Sequence, residues 1–441
     1  LKQKKLIVNT ALLTGASVVM SCIGMAYQVW LAGRIGAAGI GLFQLVIAVA
    51  GLAGTLAVSG IRFASTRLLS EEIGLGRGAG IRGAMARCLG YGAFFGLSAG
   101  IILWCAAEPL GFLWIGDART VKSLRILASS MPLIALSSVY SGYFTACGRV
   151  WKAALIHLAE QLCGITVAAA LLYAAPAGDI ERSCAAITAG GVVSDALCVV
   201  LMTAAYLVDR RSHPLPGGGG TRQTARMLSI AVPLAWSSYA RSALGTIEHL
   251  LVPRGLRGAG FSADGALASY GVIQGMALPI VLFPACLMGA VSELMVPELT
   301  RAQVAGDGGI PGTVHGVLRR SFAYALFVGA FLFLFADKLG MVIYHSAEAG
   351  RYIRLLAPLV PVMYTDTAVD GCLKGLGQHV WCMGVNILDA LLGVLLVWFL
   401  LPKYALTAYI AIIYFGECLN FALSYGRLLQ VLKKAALSGG F

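Results

Sequence analysis

Apolar runs the length of a bilayer crossing fill this chain from end to end, separated by short gaps that hold glycine, proline and charge. About 20 apolar residues, rising 1.5 Å each, cross ~30 Å of hydrocarbon. That pattern predicts helices near 7–32, 37–61, 84–107, 124–147, 151–174 and 184–208, then near 225–252, 264–296, 316–337, 353–377, 380–401 and 404–430. Each segment is read as helical because backbone amides in lipid need partners within their own segment. The expected fold is an all-α polytopic membrane protein with about twelve transmembrane helices.

The polar punctuation of these runs repeats. PLIALSSVYSGYFTACGRVWKAALIHLAEQLCG (132–164) returns 229 residues later as PVMYTDTAVDGCLKGLGQHVWCMGVNILDALLG (361–393). Gly142, Gly148, Glu160 and Gly164 align with Gly371, Gly377, Asp389 and Gly393 without a gap. Earlier in each half, Gly41 and Gln44 of GAAGIGLFQ match Gly271 and Gln274 of ALASYGVIQ. One six-helix unit is therefore duplicated, with lobes at 1–209 and 224–441 and a basic linker, 210–223, containing Pro214, Pro216 and four consecutive glycines. An even number of spans per half makes the repeats parallel. Such pairs of lobes are expected to enclose a cavity near the midplane and to work by rocking.

Composition agrees with lipid as the solvent. The 441 residues are 59% hydrophobic and 12% charged, with mean hydropathy +0.82, whereas soluble chains are about a quarter charged. The net charge of +13 gathers in alternate gaps, at Arg62, Arg67, Arg77, Arg82, Arg87, Arg149, Lys152, Arg210, Arg211, Arg222, Arg226, Arg301, Arg319, Arg320 and Lys374, and in the tail at Arg427, Lys433 and Lys434. This is the positive-inside bias and not a nucleic-acid surface. It places both termini on the cytoplasmic side of the cytoplasmic membrane. The first apolar run exceeds a signal-peptide core and is expected to stay as a helix. The eleven cysteines lie in apolar runs without C-x-x-C or Cys/His ligand spacing, so no metal or disulfide framework is expected. No phosphate-binding loop, paired catalytic carboxylates or H-E-x-x-H points to an enzyme or to ATP hydrolysis.

Ionisable residues at membrane depth cost roughly 2.5 to 3.5 kcal/mol on insertion scales, so each calls for a partner or a wet cavity. Ser237, Arg241 and Glu248 share one face of the seventh predicted helix, where the guanidinium either pairs with an acid elsewhere or grips an anionic substrate. Arg34 and Arg62 end the first and second helices, either snorkelling to headgroups or lining the mouths of a cavity for phosphate. Asp366, Asp370 and Lys374 stand four apart on the tenth helix; Asp370 and Lys374 can neutralise each other, leaving Asp366 the better candidate for ion coupling. Glu160 with His157, Asp389 with Asn386, Asp195, and Glu417 with Asn420 read as interhelical pairs. Pro233, Pro279 and Pro284 interrupt the seventh and eighth helices, where a kink can hinge or open a lateral gap.

AGRIGAAGIGLFQL (32–45) and PLIALSSVYSGYFTACGRVWKAALIHLAEQ (132–161) resemble the stage V sporulation protein B group. That group lies in the polysaccharide-exporter branch of the multidrug/oligosaccharidyl-lipid/polysaccharide flippase superfamily. The likeness runs over essentially the whole chain. Ser141 stands where relatives usually carry a basic residue, and SGIRFASTRL replaces a proline-bearing version. The resemblance implies a flippase for an undecaprenyl-pyrophosphate-linked sugar or peptidoglycan precursor. It also implies two lobes enclosing a cationic central cavity and no ATP use; the intramembrane acids leave coupling to H+, Na+ or the membrane potential open, and no cofactor is expected. Arg241 would hold the pyrophosphate while the lipid tail stays in the bilayer. The alternatives are an ion-coupled multidrug exporter of the same superfamily and a non-transporting partner in envelope or spore assembly. No sequence feature requires an oligomer.

Overall fold

In a computed structural model the protein is described over residues 2–74, 78–174, 178–212, 223–304 and 309–437. Arg77, Arg222 and the proline–glycine stretch of the expected linker lie outside these residues. Among the described residues every regular element is a helix. In the first half these are α1 (Lys2–Val58), α2 (Ile61–Gly74), α3 (Gly78–Pro109), α4 (Thr120–Ala128), α5 (Ser130–Ala146), α6 (Val150–Ala174) and α7 (Ile180–Ser212). There follow α8 (Gln223–Gly258), α9 (Ala263–Val272), α10 (Leu278–Leu282), α11 (Cys286–Val304), α12 (Ile310–Tyr344), α13 (Ala347–Leu356), α14 (Val360–Gly375) and α15 (His379–Leu437).

Seven of these stretches are long and apolar enough to cross a membrane, or eight if the bent α4–α5 pair counts as one. Two of the seven are longer than a bilayer needs and are broken inside. In α1 the break is at Gly36 (φ 71°), and in α15 at Ala405 (φ 50°), three residues after Pro402. The first break falls in the gap expected at 33–36, and the second lies just inside the start of the helix expected at 404–430. The expected seventh helix, α8, is not among the seven, because serines, Pro233 and Arg241 dilute its apolar run. Its eighth-helix neighbour is assembled from α9, a π-helical stretch at Ile273–Ala277, α10 and α11. Pro279 and Pro284 have no backbone N–H to give, so the ladder shifts register around them. Phe327, Leu334 and Val342 on α12 are over 70% exposed, the surface of a helix solvated by lipid.

The chain packs as two compact units, Leu1–Ala16 with Leu45–Thr246 and Ser17–Gln44 with Ile247–Phe441. The divisions fall inside α1 and α8 and not in the linker. In the first unit α5 is flanked by α2, α3 and α7, and α6 lies against α7. Leu68, Leu69, Met85, Tyr140, Phe144 and Met202 form its buried core. In the second unit α14 is flanked by α11, α12 and α15, around Leu299, Val369, Leu373 and Leu428.

The repeated glycines have a physical reason in each unit. A Cβ on Gly142 would stand 2.0 Å from Ser65 Oγ of α2, and one on Gly371 2.4 Å from Ser292 Oγ of α11. Both mark crossings too close for any side chain. Gly148 (φ 69°) and Gly377 (φ 76°) cap α5 and α14 in left-handed conformations. The next N–H in each case bonds back across the turn, Arg149 N to Phe144 O at 2.8 Å and Gln378 N to Leu373 O at 2.9 Å, as helix C-caps require. A basic residue then secures the turn to the end of the unit's last helix. Arg149 and Lys152 pair with Asp209 of α7, and Gln378 accepts from Arg427 of α15 at 2.8 and 3.0 Å.

Candidate functional site

The face of α8 that packs in the first unit is set by small and hydroxylic residues. Gly60 lies against Ala231 and Ala235. Tyr239 is hydrogen bonded to Ser59 at 2.5 Å, Ser242 accepts from Thr55 at 3.2 Å, and Thr246 donates to Ala48 O at 3.0 Å. At 100° per residue, Ser237 and Arg241 fall on the opposite side of this helix. Arg241 is exposed, and among the described residues no acid pairs with it. Ser237 donates only to Leu234 O of its own helix. Arg62, the second residue of α2, is exposed in the same unit, its carbonyl accepting from Ser65 and Thr66. It follows the left-handed pair Ser59–Gly60 that ends α1. Arg34 is exposed two residues before the Gly36 break and belongs to the second unit.

Glu248 lies in the second unit, where its carboxylate sits over Gly393, whose missing Cβ leaves room 2.9 Å from Oε2. Its charged neighbour is Asp389. Asp389 packs on Gly416 and is also a neighbour of Glu417 and Asp366. Four carboxylates from α8, α14 and both arms of α15 thus converge. Asp370 is bound to Lys374 as the spacing predicts, while Asp366 keeps a buried Oδ1 without a hydrogen-bond partner among the described residues. Asn420 donates to Asn386 at 3.4 Å beside them. A groove of 420 Å³ in the same unit is lined by Ser21, Gln28 and Gln44 of α1 and by Pro279, Leu282 and Phe283. Gln28 reaches across to donate to Gly275 O at 3.1 Å.

The first unit holds the corresponding polar group. His157 and Glu160 of α6 are joined at 2.7 Å, with Ser141 of α5 and Cys198 and Asp195 of α7 around them. Glu160 and Asp195, read separately from the sequence, are neighbours here. The sequence showed each of these groups singly; that α8 joins α14 and α15 depends on packing that carries Glu248 to acids more than a hundred residues further on.

Residues 6–292 match the family described as polysaccharide biosynthesis protein. The chain belongs to that family. Within it, the chain is similar to stage V sporulation protein B of Bacillus subtilis (strain 168), 23% identical over 396 residues, 88% of this chain and 75% of the relative. It is likewise similar to sporulation protein YkvU of the same organism, 24% identical over 382 residues, 83% of this chain and 81% of the relative. Among solved structures, its fold matches an inward-facing multidrug resistance MATE family transporter of the MOP superfamily, with TM-score 0.69, 15% identity, and 94% and 96% of the two chains covered. A MOP superfamily transporter from Pyrococcus furiosus, described as having a binding pocket of reverse polarity, matches with TM-score 0.63 and 15% identity over 97% and 96%. This family member is a multi-pass membrane protein with the MOP transporter fold.

Proposed function

We propose that this protein flips a lipid-linked oligosaccharide or peptidoglycan precursor of the undecaprenyl-pyrophosphate type across the cytoplasmic membrane by alternating access. The observation that carries the reading is Arg241, an exposed guanidinium within a membrane-length helix with no acid paired to it among the described residues. A planar fork of donors grips a pyrophosphate bidentately. Ser237 adds a hydroxyl on the same face, and Arg62 and Arg34 supply further positive charge. The groove beside Pro279 gives a polyprenyl tail an apolar wall with a few polar contacts. Membership of a polysaccharide biosynthesis family supports a glycan cargo.

Counting each side of the Gly36 and Ala405 breaks separately, and taking α4–α5, α9–α11 and α13–α14 as single spans, gives twelve spans. They form two parallel six-helix lobes with both ends cytoplasmic. The acids around Asp366 serve energy coupling. Like charges at close range favour a bound proton or Na+, and loading or emptying that position biases one conformation over the other. Glu248 belongs with this coupling group and not with the substrate arginine. Transport on this reading needs no cofactor and no catalytic residue.

The MATE-like fold with its acid group supports a second reading, cation-coupled export of cationic drugs. Proteoliposomes loaded with either a fluorescent polyprenyl-pyrophosphate sugar or a cationic dye separate the two. Translocation of the lipid-linked sugar, lost in Arg241→Ala, supports the flippase. Export of the dye with no movement of the sugar overturns it.

A further inference from the structure

The five polar residues packed between α5, α6 and α7 differ in chemistry from their counterparts in the second half. At the offset of 229 residues, Ser141, His157 and Glu160 correspond to Asp370, Asn386 and Asp389, and the last helix of that half adds Glu417 and Asn420, all oxygen and amide groups. Here they hold an imidazole and a thiol. His157 Nδ1 lies 2.7 Å from Glu160 Oε2 and 4.0 Å from Cys198 Sγ, and the three donor atoms lie within 4.8 Å of one another. A tetrahedral ion held by one nitrogen, one oxygen and one sulfur at ~2.0 to 2.3 Å needs its ligand atoms ~3.3 to 3.6 Å apart, within the span these atoms already cover. Cys198 is fully buried, while the side chains of His157 and Glu160 are 34% and 21% exposed. The site is therefore walled on the sulfur side and open on the other.

We propose that His157, Glu160 and Cys198 form a binding site for a borderline-soft divalent metal ion of the Zn2+ type. Mixed nitrogen, sulfur and carboxylate donors select such an ion over Na+, Mg2+ or Ca2+. The surroundings are those of a ligand set. Ser141 Oγ lies 3.2 Å from His157 Nε2, so once the metal takes Nδ1, the ring proton moves to Nε2 and is accepted by the serine, the outer-shell arrangement typical of metal-bound histidine. Asp195 stands one turn before Cys198 on α7 with Glu160 as its neighbour, so a shift of its side chain, or a water, would close the fourth position.

A thiolate and a carboxylate offset most of the charge of a doubly charged ion, which limits the cost of an added charge in low dielectric. The inference does not rest on the transport reading.

The test uses the full-length protein in detergent, purified without a histidine tag and stripped with chelator. Zn2+ titrated calorimetrically in buffers of different ionisation enthalpy should bind one ion per chain at micromolar concentration or below, with release of protons as the thiol ionises. Cys198→Ser and His157→Gln should each weaken binding at least tenfold, while Cys163→Ser on the same helix as His157 should not. Co2+ in the wild-type protein should show thiolate-to-metal charge transfer. Absence of that band, or Zn2+ affinity equal in wild type, Cys198→Ser and His157→Gln, overturns the site. The cobalt spectrum decides even if a variant fails to fold.

Discussion

Arg241 and Asp366 are opposite solutions to the same difficulty, a charge carried into the bilayer. The arginine has been left exposed and without an acid among the described residues, so its charge awaits a ligand. A charged hydrogen-bonded contact contributes about 1.5 to 3 kcal/mol. Arg241→Ala should therefore slow precursor translocation roughly ten- to a hundredfold with normal membrane insertion, measured in proteoliposomes. Arg241→Lys should recover only part of the loss, since an ammonium keeps the charge without the bidentate fork. Asp366 has a buried oxygen without a hydrogen-bond partner among the described residues and three carboxylates as neighbours. Removing its charge removes repulsion, so Asp366→Asn should leave the thermal midpoint unchanged or raise it. The same variant should lose the sensitivity of transport to an uncoupler. A lowered midpoint with uncoupler sensitivity retained would make Asp366 a structural residue.

At the scale of elements, the duplicated glycines decide which helices meet. Gly41 of α1 and Gly271 of α9 occupy matching places in the two halves, and in the fold they meet each other. A Cβ on Gly41 would stand 2.0 Å from Leu267 O, and one on Gly271 2.2 Å from Ala37 O and 2.6 Å from Gly41 N. Small residues at helix crossings let backbones approach, and packing is then the main attraction available in lipid. Gly41→Ala or Gly271→Ala must separate the two backbones, an overpacking cost of about 1 to 3 kcal/mol. Each should lower the detergent-solubilised thermal midpoint by several degrees. Gly51→Ala on α1, with open space around it, is the control and should be neutral. The positions of these glycines could be read from the repeat; that two of them touch could not, because the repeat does not show which helices cross. The amphipathic helix α2 escaped the sequence reading for a different reason. At fourteen residues with Arg62, Arg67, Glu71 and Glu72 it is too short and too charged to register as a span.

Across the whole molecule, hydropathy alone delivered an all-helical membrane protein and the break at Gly36, and came within two residues of the break at Ala405, because lipid leaves the backbone few choices. It delivered the charged residues one at a time, because an ionisable group in an apolar run stands out singly. It did not deliver the partners. Glu248 shares a helical face with Arg241 yet belongs with Asp389, and Cys198 completes a cluster begun 41 residues earlier at His157. Orientation is the property of the whole chain that rests on counting. The lysines and arginines named above cluster in alternate gaps, whereas several basic residues of the other gaps are held by nearby acids, Arg119 by Asp117, Arg125 by Glu108, Arg182 by Asp179 and Arg354 by Asp337. Basic residues near span ends are retained on the cytoplasmic side, and local pairing further reduces the charge that the opposite side must carry across. Reporters fused after Phe441 and inserted between Asp179 and Ile180 should therefore report opposite sides. The first should give cytoplasmic fluorescence from a green fluorescent protein fusion and no alkaline phosphatase activity, and the second the reverse. The same side for both would mean that an even number of spans separates the two points, not the seven that twelve parallel-repeated spans require, and the two-lobe reading would fall with it.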